Sequence, residues 1–595
     1  MTDVILVYAL TFLLAWPLGH YLSRVFRHEK TWLDPVLGGL ERALYALLGT
    51  SEKRGMTWFG YARALLFSNL AVGGVAYLVF IFQGRLPLNP DGVPGLSWDL
   101  ALHTAASFVT NTNQQHYSGQ AQLSYLSQMV GVTALQLITP AAGLAALIAI
   151  LRGLFGGRDA DTAKAGEVRD VGNYYVDVTR AMTRVLLPMS FVLALLLTWQ
   201  GVPSTFSGAK TATLVDPQGD VTEQTIPVGP VAAMVAIKQL GTNGGGWYGP
   251  NSAVPSENPT PLSNLLQSVS IILLPVAIVF MVGRFTRRPR FGMMALGVMT
   301  VVSVVLVVAA VAAENTANPA FAGLAATGPN MEGKETRFGP TASALWATLT
   351  TQTSNGSVNS VHDSMTPLGG LLPLAGMLIN ETYGGIGVGF INFLVFLFVT
   401  VFIAGLMVGR TPELFGRKLE AREVKLAAIA LLLQPLLILA PTAIALANPT
   451  LTGNSNPGFH GVSQVFYEYT SAFANNGSGF EGLGDNTVWW NTTTAVILIL
   501  ARFIPIFAPL AIAGSLAAKR VAPPSAGTLR VDTPIFAGAT LSVIVILTLL
   551  NFLPVLVLGP VGEQLVAVPA ITETTGTATV NQEWVAESRA LFGGN

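Results

Sequence analysis

Gly241-Thr242-Asn243-Gly244-Gly245-Gly246 lies between a hydrophobic run and a polar segment reaching Thr260. Three other stretches rhyme with it: Asn111-Thr112-Asn113-Gln114, Thr353-Ser354-Asn355-Gly356 and Ala474-Asn475-Asn476-Gly477. Aligned on Asn113, Asn243, Asn355 and Asn476, each has Thr, Ser or Asn before the asparagine, and three have Gly after it. Those asparagines are 130, 112 and 121 residues apart. A short element returning at domain-sized intervals reads as a fourfold internal duplication. Asn-Gly pairs are common in ordinary turns, but four of them at one place in a repeated hydrophobic layout are a shared structural device. Gln114 stands where the other repeats have Gly, so the first loop is expected to be less regular.

The layout around the motifs is that of a membrane protein. Hydrophobic residues make up 51% of the 595 residues and charged residues 11%, with mean hydropathy +0.54; soluble chains carry roughly 25% charge. Net charge is zero, so nothing points to nucleic acid as a partner. There is no cysteine, which excludes disulfides and thiolate chemistry. Apolar runs of about 20 residues fall near 4–23, 62–83, 129–151, 182–200, 262–283, 292–313, 385–408, 426–448, 492–518 and 534–559. The first has no basic flank before it and Arg24, Arg27 and Lys30 after it, the pattern of a retained helix with its N-terminus outside. Five alternate connections hold 25 of the 32 basic residues, which assigns them to the cytoplasm and both termini to the outside.

All four motifs then fall in outward connections. Each follows a stretch too short to span: Trp98–Val109, Pro230–Leu240, Thr341–Thr353 and Val462–Phe473. Such stretches read as re-entrant half-helices, because irregular backbone at membrane depth survives only against protein or a water-filled cavity. Small residues beside glycine let backbone carbonyls approach one axis, the arrangement that replaces the water shell of a potassium ion. The expected fold is an all-α integral membrane protein of ten transmembrane helices. Four pseudo-symmetric helix–pore loop–helix repeats surround a potassium filter, with one extra helix at each end. The expected units are 1–60 (N-terminal helix and loop), 61–151, 179–285, 291–408 and 424–518 (the repeats), and 533–595 (C-terminal helix and outer tail).

Other residues carry weaker signals. His103, His116, His362 and His460 lie outside, but none has a metal-ligand spacing with another donor. Glu257, Asp363, Glu468, Glu481 and Asp485 could focus cations at the entrance or simply be solvated. Gly384-Gly385-Ile386-Gly387-Val388-Gly389 sits at the expected start of a span, suited to close helix packing or to a gate. Glu381 precedes that run and Arg502 interrupts the apolar stretch Ala495–Leu510. Charges at membrane depth face an aqueous cavity or pair with each other.

With these loops, the chain resembles the potassium-transporting ATPase A chain of the bacterial Kdp complex. The residues that carry the likeness are Thr110-Asn111-Thr112-Asn113 with Gln115 and Tyr117-Ser118-Gly119; the Gly241 to Gly246 stretch with Asn251-Ser252 and Glu257-Asn258-Pro259-Thr260; Ser354 to Asn359 with His362-Asp363-Ser364 and Thr366 to Gly370; Ala472 to Ser478; and Val408 to Glu413. The resemblance implies that K+ binds at Asn111, Thr112, Asn113, Gln115, Thr242, Asn243, Gly244, Gly245, Ser354, Asn355, Gly356, Asn475, Asn476 and Gly477. It implies an ion path or gate at Glu381, Arg410 and Arg502. It also implies a bacterial inner-membrane location and assembly with an ATP-hydrolysing P-type B chain, a C chain and a small F chain. This chain has neither a Gly-x4-Gly-Lys-Ser/Thr loop nor an Asp-Lys-Thr-Gly motif, so no nucleotide and no ATP hydrolysis are expected of it. A stand-alone transporter of the related Trk/Ktr type is the alternative reading. An intramembrane enzyme would need a paired nucleophile and base, which the sequence does not offer.

Overall fold

The structure, a computed structural model, describes residues 1–156, 170–218, 221–321, 328–521 and 529–567. Most of the expected outer tail, 568–595, lies outside the described residues, as does much of the second basic connection. Ten helices among the described residues are long and apolar enough to cross a membrane. In chain order, with the half-helices between them, they are α1 (Thr2–Phe26), α2 (Trp58–Phe82), α3 (Trp98–Val109), α4 (Ser127–Phe155), α5 (Tyr174–Trp199), α6 (Val231–Leu240), α7 (Pro261–Phe285) and α8 (Pro289–Glu314). Then come α9 (Gly339–Gln352), α10 (Pro367–Ile379), α11 (Val388–Met407), α12 (Ala421–Leu446), α13 (Gly458–Phe473), α14 (Val488–Ala517) and α15 (Pro534–Leu556).

The four half-helices are α3, α6, α9 and α13, within a few residues of the expected limits. Each is buried almost throughout although it carries polar residues, because it packs inside the bundle rather than against lipid. The most heavily buried spans are α4, α7 and α14, while α1, α2, α12 and α15 leave rows of Leu, Ile, Val and Phe exposed. That is the pattern of an outer ring facing hydrocarbon around an inner ring facing protein. The extra helix α1 lies along α7, where Gly19 abuts the backbone of Ala277 and Met281.

Three elements escaped the sequence reading. A β-hairpin, β1 (Lys210–Gln218) with β2 (Val221–Ile226), stands between α5 and α6. A surface helix, Asp34–Leu47, follows α1, and its Glu41 pairs with Arg184 at 2.6 Å. The third is α10, an apolar helix of 13 residues capped by Thr366, whose hydroxyl accepts from Gly369 N at 3.0 Å. The span expected at 385–408 is present as α11, and a break in the chain separates it from α10. The chain turns at Asn380 (φ 53°), Tyr383 (φ 61°), Gly384 (φ 60°) and Gly387 (φ 77°), and the helix starts only at Val388. The glycine run is therefore not a helical packing face but an irregular linker between two helices.

The five basic connections meet on one face. Arg27, Arg152, Arg287, Arg288 and Arg417 line a single surface depression with Val521. Arg152 pairs there with Asp177 at 2.6 Å.

Candidate ion-binding site

Each half-helix ends two residues before a sharp reversal of the backbone. The reversals are at Asn111 (φ 64°), Thr242 (φ 48°), Ser354 (φ 52°) and Asn475 (φ 48°), all left-handed. Two residues on, Asn113 (φ 59°), Gly244 (φ 67°), Gly356 (φ 87°) and Gly477 (φ 102°) are left-handed again. Between them the amides of Thr112, Asn243, Asn355 and Asn476 donate to Ser107, Lys238, Thr350 and Ser471 at 2.9–3.1 Å. The repeats are thus equivalent, with the sequence alignment of the first loop off by one residue. The partner of Asn243 is Thr112, and the partner of Gly244 is Asn113. The residue that departs from glycine is accordingly Asn113, not Gln114, and asparagine is the side chain that best tolerates this conformation. The first loop has the same backbone as the others, contrary to the expectation from Gln114.

The loops close into a ring in chain order. A Cβ on Gly244 would strike the carbonyl of Asn355, one on Gly356 that of Asn476, and one on Gly477 that of Thr112. Asn113 Nδ2 completes the circuit by donating to Gly244 O at 3.0 Å. Side chains brace the ring from outside. Asn111 Nδ2 donates to Thr242 O at 3.0 Å, Asn476 Nδ2 to Thr350 O at 2.9 Å, and Asn355 Nδ2 to Lys238 O at 3.0 Å. Gln115 clamps Gly246 at both its N–H (2.7 Å) and its carbonyl (3.1 Å). Behind the ring, Gln136 donates to Gly244 O at 3.1 Å, and Thr139 donates to Asn111 Oδ1 at 2.8 Å. Both are polar residues in an apolar span, a signal that sequence reading could have used. The four half-helix C-termini, each worth roughly half a negative charge, are delivered to this ring.

The ring separates two chambers. Outside it is a vestibule of about 570 Å³, lined by Asn113, Gln115, Gly245, Gly356, Gly477, Glu468, Glu481 and Asp485 among others. Inside is a chamber of about 50 Å³ lined by Ser354, Asn475, Glu381, Gly385 and Arg502, above the 10–15 Å³ or so that one water needs. Glu381 and Arg502, distant in sequence, therefore share one space beneath the ring. They do not form the helix-fixing ion pair that was the alternative: both Glu381 oxygens lack a hydrogen-bond partner among the described residues. Arg502, 6% exposed, reaches Thr139 O at 3.5 Å. The glycine linker docks on the ring's underside, where Ile386 N donates to Thr242 Oγ1 at 3.1 Å and Gly384 N to Gln352 O at 2.9 Å. Arg410 is not brought here; it is exposed beyond the end of α11, in the fourth basic connection.

The outer acids divide. Glu257 is spent on a fully buried ion pair with Lys238 and accepts Tyr248 N at 3.0 Å. Asp363 and Glu563 hold His460 at 2.9 Å each. Burial alone would lower that imidazole's pKa, but the two carboxylates outweigh it and raise it to about 10. At the vestibule wall, His116 Nε2 faces Glu468 at 3.2 Å and Asp485 at 4.0 Å. Burial again opposes its charge, yet Asp485, Glu468 and Asn491 lift it to about 9.

The fold and this ring define a class: multi-pass membrane proteins in which four re-entrant loops from one chain enclose an ion passage. Residues 5–565 match the family described as KdpA, potassium-transporting ATPase A subunit. The chain belongs to that family. A potassium-transporting ATPase potassium-binding subunit from Gloeobacter violaceus is 50% identical over 554 residues, covering 92% of this chain and 94% of the relative. Its namesake from Synechocystis is 46% identical over 563 residues, covering 94% and 98%. The potassium transporter TrkH of Vibrio parahaemolyticus has the same fold at TM-score 0.50 and 13% identity, over 85% of this chain and 98% of that one. The family match favours the Kdp reading over the stand-alone Trk/Ktr reading.

Proposed function

We propose that this chain is the potassium-selective binding and translocating subunit of an ATP-driven uptake pump. External K+ enters the vestibule and sheds its water against the ring formed by Asn111–Asn113, Thr242–Gly245, Ser354–Gly356 and Asn475–Gly477. It then passes to the chamber of Glu381 and Arg502. The observation that carries this reading is the closed ring of four equivalent loops between two polar chambers. Four half-helix C-termini favour a cation there, and glycine at the tightest contacts lets the backbones meet. The basic face lies in the cytoplasm and both termini outside, by the excess of Lys and Arg on alternate connections. The repeats divide the chain at 61–151, 179–285, 291–408 and 424–518.

Energy comes from a P-type ATPase B chain, with C and F chains completing the complex. The Arg502 guanidinium opposes a straight exit from the chamber and turns the ion sideways toward that partner. The test is K+-stimulated ATP hydrolysis by the assembled complex beside the isolated chain. The complex should respond to K+ far more strongly than to Na+, and the isolated chain should form no phosphoenzyme. An acid-stable phosphoaspartate on this polypeptide, or a complex indifferent to K+, would overturn the reading.

A further inference from the structure

We propose that the outer vestibule contains a binding site for a divalent transition-metal ion, zinc or one of similar chemistry, with His116, Glu468 and Asp485 as its protein ligands. The three come from the first loop, from α13 and from the segment before α14, so no sequence spacing announces them. In the fold one donor atom of each lies within 4.8 Å of the others. The Nε2 of His116 is 3.2 Å from Glu468 Oε1 and 4.0 Å from Asp485 Oδ2. Ligands about 2.0–2.1 Å from a tetrahedral ion stand roughly 3.4 Å apart, between these two spacings. Slight movement of Asp485, the most exposed of the three, closes the set.

The imidazole is oriented from behind. Asn491 Nδ2 donates to Asp99 Oδ2 at 2.9 Å, which leaves Asn491 Oδ1 as the acceptor facing His116 Nδ1 at 2.7 Å. Nδ1 must therefore carry the proton, and Nε2 is the nitrogen turned toward the carboxylates. A carboxylate–amide–imidazole relay of this kind fixes the tautomer a metal requires. Gln114 Nε2 donates to the same oxygen, Glu468 Oε1, that His116 Nε2 faces, and His103 stacks on His116 with ring centroids 3.7 Å apart. One neutral imidazole and two carboxylates balance a dipositive ion, which replaces the Nε2 proton on binding. The imidazole nitrogen selects against K+, an oxygen-seeking ion. The fourth position opens on the vestibule, where water completes the shell.

An ion held there sits at the entrance of the ring, and its charge opposes the approach of K+. The site thus makes the pump sensitive to external zinc. In the assembled complex, buffered free Zn2+ should inhibit K+-stimulated ATP hydrolysis, and EDTA should reverse it. Co2+ as a probe should give the visible absorption bands of a tetrahedral site in the wild-type complex. Asp485→Asn and His116→Asn should each weaken Co2+ binding and raise the zinc needed for half-inhibition by tenfold or more. Absence of Co2+ bands in the wild type, or zinc inhibition unchanged in a well-assembled Asp485→Asn complex, overturns the proposal. The second result would place the inhibition on the nucleotide or on another subunit.

Discussion

Gly244→Ala tests the ring most directly. Gly244 has φ +67°, and a Cβ built on it collides with the carbonyl of Asn355 and lies 2.5 Å from Ser357 N. Comfortable non-bonded contacts begin near 3.5 Å, so one of the two loops must retreat by about 1–1.5 Å. The methyl adds roughly 1–2 kcal/mol for a left-handed non-glycine residue and about 1–3 kcal/mol for overpacking. Together these come to about 2–5 kcal/mol. If that strain is relieved where the ion should sit, K+ affinity falls by about 30-fold to several thousand-fold, at 1.4 kcal/mol or so per decade. The assay is the K+, Rb+ and NH4+ dependence of ATP hydrolysis by the assembled complex, with assembly checked by gel filtration. Half-saturating K+ should rise and discrimination among the three ions should shrink. Gly297→Ala is the control, since a Cβ there meets nothing within 4 Å. An intact Gly244→Ala complex with unchanged affinity and preference would remove Gly244 from the ion's path.

Three further perturbations bear on separate parts of the molecule. Arg502→Gln should open a passive leak, because a guanidinium about 6 Å from the ion repels it by roughly 3 kcal/mol at an effective dielectric near 20. That is about a hundredfold in rate, and liposomes bearing the intact mutant complex without leak or uncoupling would reduce Arg502 to a structural cation. Lys238→Met strands the buried Glu257 carboxylate and should cost about 3–5 kcal/mol of stability. Thermal inactivation in detergent should show most of the loss recovered in Lys238→Met/Glu257→Gln, and equal loss in both variants would refute the pairing argument. His460, with a folded pKa of about 10 against roughly 6.5 unfolded, contributes stability that is complete below pH 6.5 and is lost as pH rises through 10. The melting temperature of the wild type should therefore fall toward that of His460→Gln across this range, and a pH-independent gap between them would sink the idea.

Sequence by itself determined the number of spans, the half-helices and the fourfold plan. These follow from local properties: run length against bilayer thickness, the placement of Lys and Arg, and the recurrence of small residues beside glycine. It also singled out Glu381 and Arg502, because an ionisable group in an apolar run stands out without any knowledge of its neighbours. Register was decided only by the folded backbone. Asn113 matches Asn243 in letters, yet the left-handed pair Asn111 and Asn113 aligns it with Gly244, and side-chain identity does not encode φ at an asparagine. The break at Asn380–Gly387 was hidden for a related reason. Hydropathy marks the apolar residues of α10 and α11 but does not register the change of chain direction between them.

Neighbours across the bundle lay furthest from the sequence. Lys238 with Glu257, Arg184 with Glu41, and His116 with Glu468 and Asp485 are set by how helices dock, and the last two join segments separated by well over a hundred residues. Taken singly, these residues look like solvated charges or a lone histidine. Burial is what turns them into pairs and clusters, because inside the bundle an ionised group must meet its counter-charge or a cation, and only the tertiary structure says which one is within reach.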